Sequence, residues 1–268
     1  MKVQDIVERI LERSCGERRL EQTCDVLASG SYETEVTGIV TTFTATVDVI
    51  REAIALGANL IVTHEPTYFT GRDGVDWLTN DPVYAGKKKL LDEHGIVVWR
   101  FHDHMHMAKS DLIYDGLAKE LGWGDKKLDS ASPWAYGIEP TTVGELAAFF
   151  KSRLGMSNVR IVGKPESPCS RIGILVGGGS LGLGREEMPM ELMRDKELDV
   201  MVCGDITEWT LCAYVNDASM LGMNKAMIVV GHERTEEWGM KHLAEWLLPI
   251  AGDVKVTFVD AKEPFVYL

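Results

Sequence analysis

The hexapeptide "FHDHMH", residues 101–106, holds three of the chain's seven histidines on alternating positions, directly after the apolar run "GIVVW". In an extended segment, side chains two apart share a face, which would turn His102, His104 and His106 the same way. In a helix His102 and His106 still share one. Converging imidazoles suit a metal ion, because neutral ring nitrogens are good ligands and protonated rings repel each other. Taken alone, the hexapeptide reads equally well as a polar loop with surface histidines.

Other expected strands end in the same kind of residue. His64 and Glu65 follow "NLIVT", Asp205 follows "DVMVCG" with Glu208 shortly beyond, and His232 and Glu233 follow "MIVVG". Five of the seven histidines therefore sit just past strands, where α/β proteins gather their functional groups. His94 and His242 fall inside helical patterns and read as surface or capping residues. In "GHERTE", Gly231 permits a tight turn, and a helix opening near Glu233 sets His232 and Glu236 four apart on one face. Favourable charge at a helix N-terminus accounts for Glu233 and Glu237. It does not account for His232, so the set favours a metal site over packing.

A Ser or Cys hydrolase is a weaker reading. Ser180 in "GGGSLGLG" lacks the G-x-S-x-G elbow, and no cysteine adjoins a histidine in sequence. The run "VGGGSLGLG" does not match a P-loop and reads as a flexible loop bordering the site.

These residues need an α/β scaffold, and the pattern supplies one. From about residue 36, β-rich runs alternate with helix-period stretches. Strands are expected at "VTGIVTTF", "NLIVT", "IVVWRF", "NVRIVG", "RIGILVG", "DVMVCG", "KAMIVVG" and "DVKVTFVD". Helices are expected after Thr44 or Thr46, after Asp81 with Pro82 at its first position, and over "TTVGELAAFFKSRLG", "MELMRDKELD", "TEWTLCAYVNDASMLG" and "TEEWGMKHLAEWLL". The segment 122–140 reads as a polar connector. The last elements match the first half in style, which gives a first lobe of residues 1–107 with 230–268 and a second of 108–229.

The chain has 268 residues, is 45% hydrophobic, and carries 41 acidic against 28 basic residues for a net charge of -13. That is enough for a sizeable core, and the acidic balance without a basic run disfavours nucleic-acid binding. Five cysteines with no C-x-x-C pair suggest neither a disulfide framework nor a zinc ribbon. With no apolar signal core and no membrane-length apolar run, a cytoplasmic protein without membrane association is expected.

The order "LIVTHEPTYF", "FHDHMH", "CGDITEWT", "GHERTEEWGMKHLAEWL" resembles the Nif-three-like family (NGG-one-interacting factor three), often labelled type 2 GTP cyclohydrolase I, over nearly the whole chain. The resemblance implies two interlocked α/β lobes, a dinuclear metal site in the cleft between them, and a ring-shaped homohexamer. Carried over by position, the metal ligands are His64, Glu65, His106, His232 and Glu236, the last able to bridge both ions. Two positions depart from the family pattern: Glu65 stands for the second histidine of a His-His pair, and His106 for an aspartate. Together the exchanges keep three imidazoles and two carboxylates. His102 matches the family's outer histidine, and Asp103 and His104 are alternates.

The mixed donor set suits two divalent ions of zinc, iron or manganese. Two ions about 3.5–4 Å apart make hydrolysis the natural chemistry. Glu236 and Glu208 are the candidate catalytic carboxylates; Asp205 or Glu208 can orient a ligand or shuttle a proton, or cap a helix. Arg72, Arg100, Lys109 and Arg234 are the candidate cations at the mouth. The reading is a metal-dependent hydrolase of a small nucleotide-like or phosphorylated molecule, against the alternative of a non-catalytic metal-binding or regulatory assembly protein.

Overall fold

The structure, a computed structural model, describes residues 1–129 and 132–268. Ser130 and Ala131, within the connector expected over 122–140, lie outside the described residues.

The chain divides into two compact units, residues 1–116 with 237–262, and residues 117–236 with 263–268. In chain order the elements are α1 (Val3–Cys15), β1 (Leu27–Ser29), β2 (Ile39–Thr42), α2 (Val47–Ala55), β3 (Leu60–Thr63), α3 (Pro82–Glu93), β4 (Val97–Arg100), α4 (Asp103–His106) and α5 (Leu112–Leu121). There follow β5 (Ala135–Thr142), α6 (Val143–Arg153), β6 (Arg160–Val162), β7 (Pro168–Leu175), α7 (Met188–Asp195), β8 (Val200–Cys203), α8 (Leu211–Met220), β9 (Ala226–Val229), α9 (His232–Ala251) and β10 (Val256–Phe258).

The helix starts follow local chemistry. Thr46 accepts from the Val49 N–H at 3.2 Å, and Asp81 accepts from Tyr84 at 2.8 Å ahead of Pro82. Thr142 and Glu145 form a reciprocal capping box on α6.

In the first unit the sheet order is β1-β4-β3-β2-β10, with β10, β2, β3 and β4 parallel and β1 antiparallel at the edge. Strands β2, β3 and β4 are buried along their whole length, as expected of parallel strands covered on both faces. One face packs Val40, Ile61 and Val98 against Ile50 of α2 and Leu91 of α3. Thr63 lies in register with Arg100, so His64 and the residues after Arg100 leave the sheet at the same level.

The second unit repeats the device. Its order is β5-β7-β8-β9-β6, with β7, β8 and β9 parallel and the two edge strands antiparallel. Leu175, Cys203 and Val229 are aligned across the parallel strands. The chain then leaves β7 toward Gly177, β8 toward Asp205 and β9 toward His232.

The last six residues of the segment expected as a connector, 135–140, are built into the second sheet. Ala135–Thr142 forms the edge strand β5, paired with β7 through a register shift between Gly137 and Thr141. Pro140 falls within that irregular stretch, and edge strands are where a residue without an N–H is tolerated. The polar, proline-bearing composition that suggested a linker is that of an edge.

Helices α5 and α9 carry the chain from one unit to the other. Their glycines let them meet closely within the first unit: a Cβ on Gly116 would come 2.6 Å from the Gly239 Cα, a distance real side chains do not show. Among the described residues no helix is long and apolar enough to cross a membrane.

Candidate metal centre

In the first unit, one buried and two part-buried imidazoles converge. The His64 ring stacks on His102 at 4.5 Å between centroids, and His106 lies edge-on to both, 5.1 Å from His64 and 5.0 Å from His102. One ligand atom from each of the three lies within 4.8 Å of the others.

Each ring is oriented from behind. His64 donates from Nδ1 to the Phe101 carbonyl at 3.2 Å, His102 to Asp103 at 2.9 Å, and His106 to Asp111 at 2.9 Å. A donor Nδ1 leaves Nε2 as the lone-pair nitrogen, the arrangement that ligating histidines use. Burial, and then the nearby His102 and His106 rings, hold His64 well below the ordinary imidazole range, so it stays neutral at neutral pH and suited to ligation.

The short helix α4 decides which histidines join. It brings His102 and His106 to one side and turns His104 to the other. The alternating, extended arrangement in which all three share a face does not form. His104 is buried, donating from Nδ1 to Asp25 at 2.7 Å and accepting at Nε2 from the Leu20 N–H at 3.0 Å. Both of its nitrogens are thereby committed to structure.

Asp25 organises this turn. Its Oδ1 accepts from the His102 and Asp103 N–H groups, both at 2.7 Å, and its Oδ2 accepts from His104 N and Nδ1. Nothing local in the sequence marks it, because its partners lie 77 to 79 residues away. Asp111 could have been found: it precedes "LIY" as a capping residue should, and it accepts from Ile113 and Tyr114 while holding His106.

Glu65 has a specific neighbour. Arg100 donates to it at 3.0 Å, and also to the carbonyls of His64 at 2.9 Å and Gly71 at 2.7 Å. The other Glu65 oxygen is 3.8 Å from His102 Nε2. Asp103 would be raised by burial, but hydrogen bonds from the Cys24 backbone, His102, Thr23 and the Cys24 thiol outweigh this and hold it well below the carboxylate range.

The second unit carries the other candidates. His232 opens α9, donating from Nδ1 to Asp205 at 2.8 Å, with its Nε2 3.0 Å from Oε2 of Glu236 one turn on. The two side chains thus face each other across one helical turn, as the i,i+4 spacing on one face requires. The glycine-rich stretch is anchored beside it. Gly177 N donates to Thr235 Oγ1 at 2.9 Å, its carbonyl accepts from Asp205 N at 2.9 Å, and Ser180 bonds the Asp205 carbonyl. Gly177 has φ +48, and a Cβ there would collide with the Glu236 carboxylate and come 2.7 Å from His232 Nε2. The stretch expected as a flexible loop is thus a pinned turn whose lack of a side chain makes room for two candidate ligands.

The remaining candidates are dispersed. Glu208 is exposed in the segment between Asp205 and α8. Arg72 and Lys109 are exposed, whereas Arg100 and Arg234 are buried, Arg234 against Glu233 at 3.2 Å, and so are fixed in place rather than displayed at a mouth. His94 is exposed at the end of α3 as expected; His242 instead sits mid-helix in α9 with its side chain mostly covered, 3.9 Å from Glu245.

Known proteins share this sequence pattern and this fold. The family model described as Duf34/NIF3 (NGG1p interacting factor 3) matches residues 1–264. A protein from Clostridium perfringens named GTP cyclohydrolase 1 type 2 homolog is 28% identical over 254 residues, covering 90% of each chain. Among solved structures, a hypothetical protein of Staphylococcus aureus is similar with TM-score 0.75 and 23% identity, over 100% of this chain and 99% of that one. A Bacillus cereus protein related to NIF3 also gives a TM-score of 0.75, with 17% identity over the same shares.

Proposed function

The chain belongs to the Duf34/NIF3 family, and we propose on that premise that it is a metal-dependent hydrolase of a small nucleotide-like or phosphorylated molecule. GTP is the substrate suggested by the relatives' name. Its ligands are His64, Glu65 and His106, joined by His102, from the first unit, and His232 and Glu236 from the second. In this reading the ions are zinc, iron or manganese, and the active protein is the hexamer that the family resemblance implies.

The observation that carries the proposal is the oriented trio of His64, His102 and His106, each with Nδ1 engaged by an acceptor. Imidazoles kept for packing need no such convergence. Ions bound by such residues supply Lewis acidity toward water and toward an electron-rich substrate oxygen.

The chain's own residues do the rest. Burial keeps His64 neutral, Asp111 and Asp205 fix the ring orientations of His106 and His232, and Gly177 leaves space beside Glu236. Glu208, exposed beyond Asp205, is the carboxylate proposed to pass a proton between site and solvent.

One observation favours the second reading, a metal-binding assembly protein without turnover. Of the four cations considered for an anionic substrate, Arg100 and Arg234 are held in buried ion pairs. Comparing metal-loaded with chelated protein on GTP and a panel of phosphorylated small molecules separates the two. The hydrolase reading expects turnover that requires metal and falls about 10–100-fold in Asp205→Asn, which weakens the hold on His232. Bound metal with no turnover on any substrate would leave the assembly reading standing.

A further inference from the structure

Cys24 takes no part in the ligand sets described above, yet it sits against one of them. Its Sγ is 3.3 Å from Asp103 Oδ1, and its N–H donates to Asp103 Oδ2 at 2.8 Å. The same carboxylate accepts from His102 Nδ1 at 2.9 Å and from Thr23 Oγ1 at 2.9 Å. A thiol, an imidazole and a carboxylate thus bring one ligand atom each within 4.8 Å of one another. The place is open to ions, because all three residues are partly exposed, His102 and Asp103 with 25% and 28% of their side chains accessible.

We propose that Cys24, Asp103 and His102 Nδ1 form a second metal-ligating set, selective for a thiophilic divalent ion such as zinc. Sulfur separates this set from the histidine trio, since thiolate ligands favour soft and borderline ions over manganese or magnesium. Sharing of His102 follows from its chemistry: a neutral imidazole offers one lone pair, so the ring serves one set at a time. When an ion enters the Cys24 set, the thiol releases its proton to solvent and the His102 ring proton passes from Nδ1 to Nε2. Occupancy of the Cys24 set therefore withdraws one imidazole from the trio, and a thiophilic ion competes with the trio's ion without occupying its place.

Cobalt(II), titrated into full-length protein stripped of metal, tests this by absorption spectroscopy. Thiolate ligation gives a sulfur-to-cobalt charge-transfer band in the near ultraviolet, whereas imidazole and carboxylate ligation gives only visible d–d bands. The expected result is a charge-transfer band in the wild type, lost in Cys24→Ser and kept in His64→Ala. Serine retains a donor toward Asp103, and surviving d–d bands in Cys24→Ser show that the variant is folded. A wild-type spectrum without the charge-transfer band, or one whose band survives Cys24→Ser, would overturn the proposal. Neither result bears on the trio, whose cobalt is read from the d–d bands that remain in Cys24→Ser and weaken when His64→Ala is added to it.

Discussion

Asp25→Ala is expected to destabilise the protein by about 3–5 kcal/mol, the range reached when several buried polar groups lose their partner together. The Asp25 side chain is 2% exposed and accepts four hydrogen bonds, from three successive backbone N–H groups and from the His104 ring. Alanine offers no acceptor, and His104, itself buried, would keep a donor facing apolar space. The first turn of α4 would also lose its anchor, and with it the alignment of His102 with His106. Denaturant unfolding and metal retention should therefore fall together, with Asp25→Asn intermediate because the amide keeps one acceptor oxygen. A change below about 1 kcal/mol, the range of an exposed cap, would mean that α4 is held by something else.

Arg100→Ala is the second large effect expected, at about 3–5 kcal/mol, because removing one partner of a buried ion pair strands the other. The Arg100 and Glu65 side chains are 4% and 16% exposed, so solvent screens the pair little. Arg100 also satisfies the carbonyls of His64 and Gly71, which fixes the backbone on which His64 stands. Neutralising the carboxylate should recover part of the loss: Arg100→Ala combined with Glu65→Gln is expected to unfold at higher denaturant than the sum of the single changes predicts. Strict additivity would show that the two residues act independently.

The Arg100–Glu65 pair also bears on the departure from the family pattern that the resemblance implies at Glu65. Read from sequence, Glu65 is one carboxylate replacing one imidazole. In the structure the replacement faces a cation anchored at the end of β4, and its other oxygen points toward His102. A histidine at that position could not neutralise Arg100, so the carboxylate suits its surroundings in this chain.

The fold was legible wherever a local rule operates. Short apolar runs mark the parallel strands of the two sheets, four in the first unit and three in the second, and Thr46, Asp81 and Thr142 cap helices as their chemistry requires. Strand β5 was not legible, because its proline and polar residues are those of a linker and only pairing with β7 makes them a strand. At the site, strand-end histidines announced themselves by position. Their sorting did not, since whether His102 or His104 joins His64 depends on Asp25, brought from far along the chain. The glycine-rich stretch was visible as unusual, but its use became clear only with Glu236 and His232 packed where a side chain on Gly177 would lie.

Metal content per chain shows whether these residues hold ions. Protein purified without chelator or affinity-tag metal is reloaded with manganese, a hard ion that does not favour the Cys24 thiolate, and counted by elemental analysis. The expected content is about two ions per chain, as in two-metal hydrolytic sites, in the wild type and in His94→Ala, whose exposed ring lies outside both ligand sets. His64→Ala, His106→Ala, His232→Ala and Glu236→Ala should each lose tight binding. Equal metal in all of these variants, or none in the wild type even after reloading, would mean that these residues do not form a metal centre.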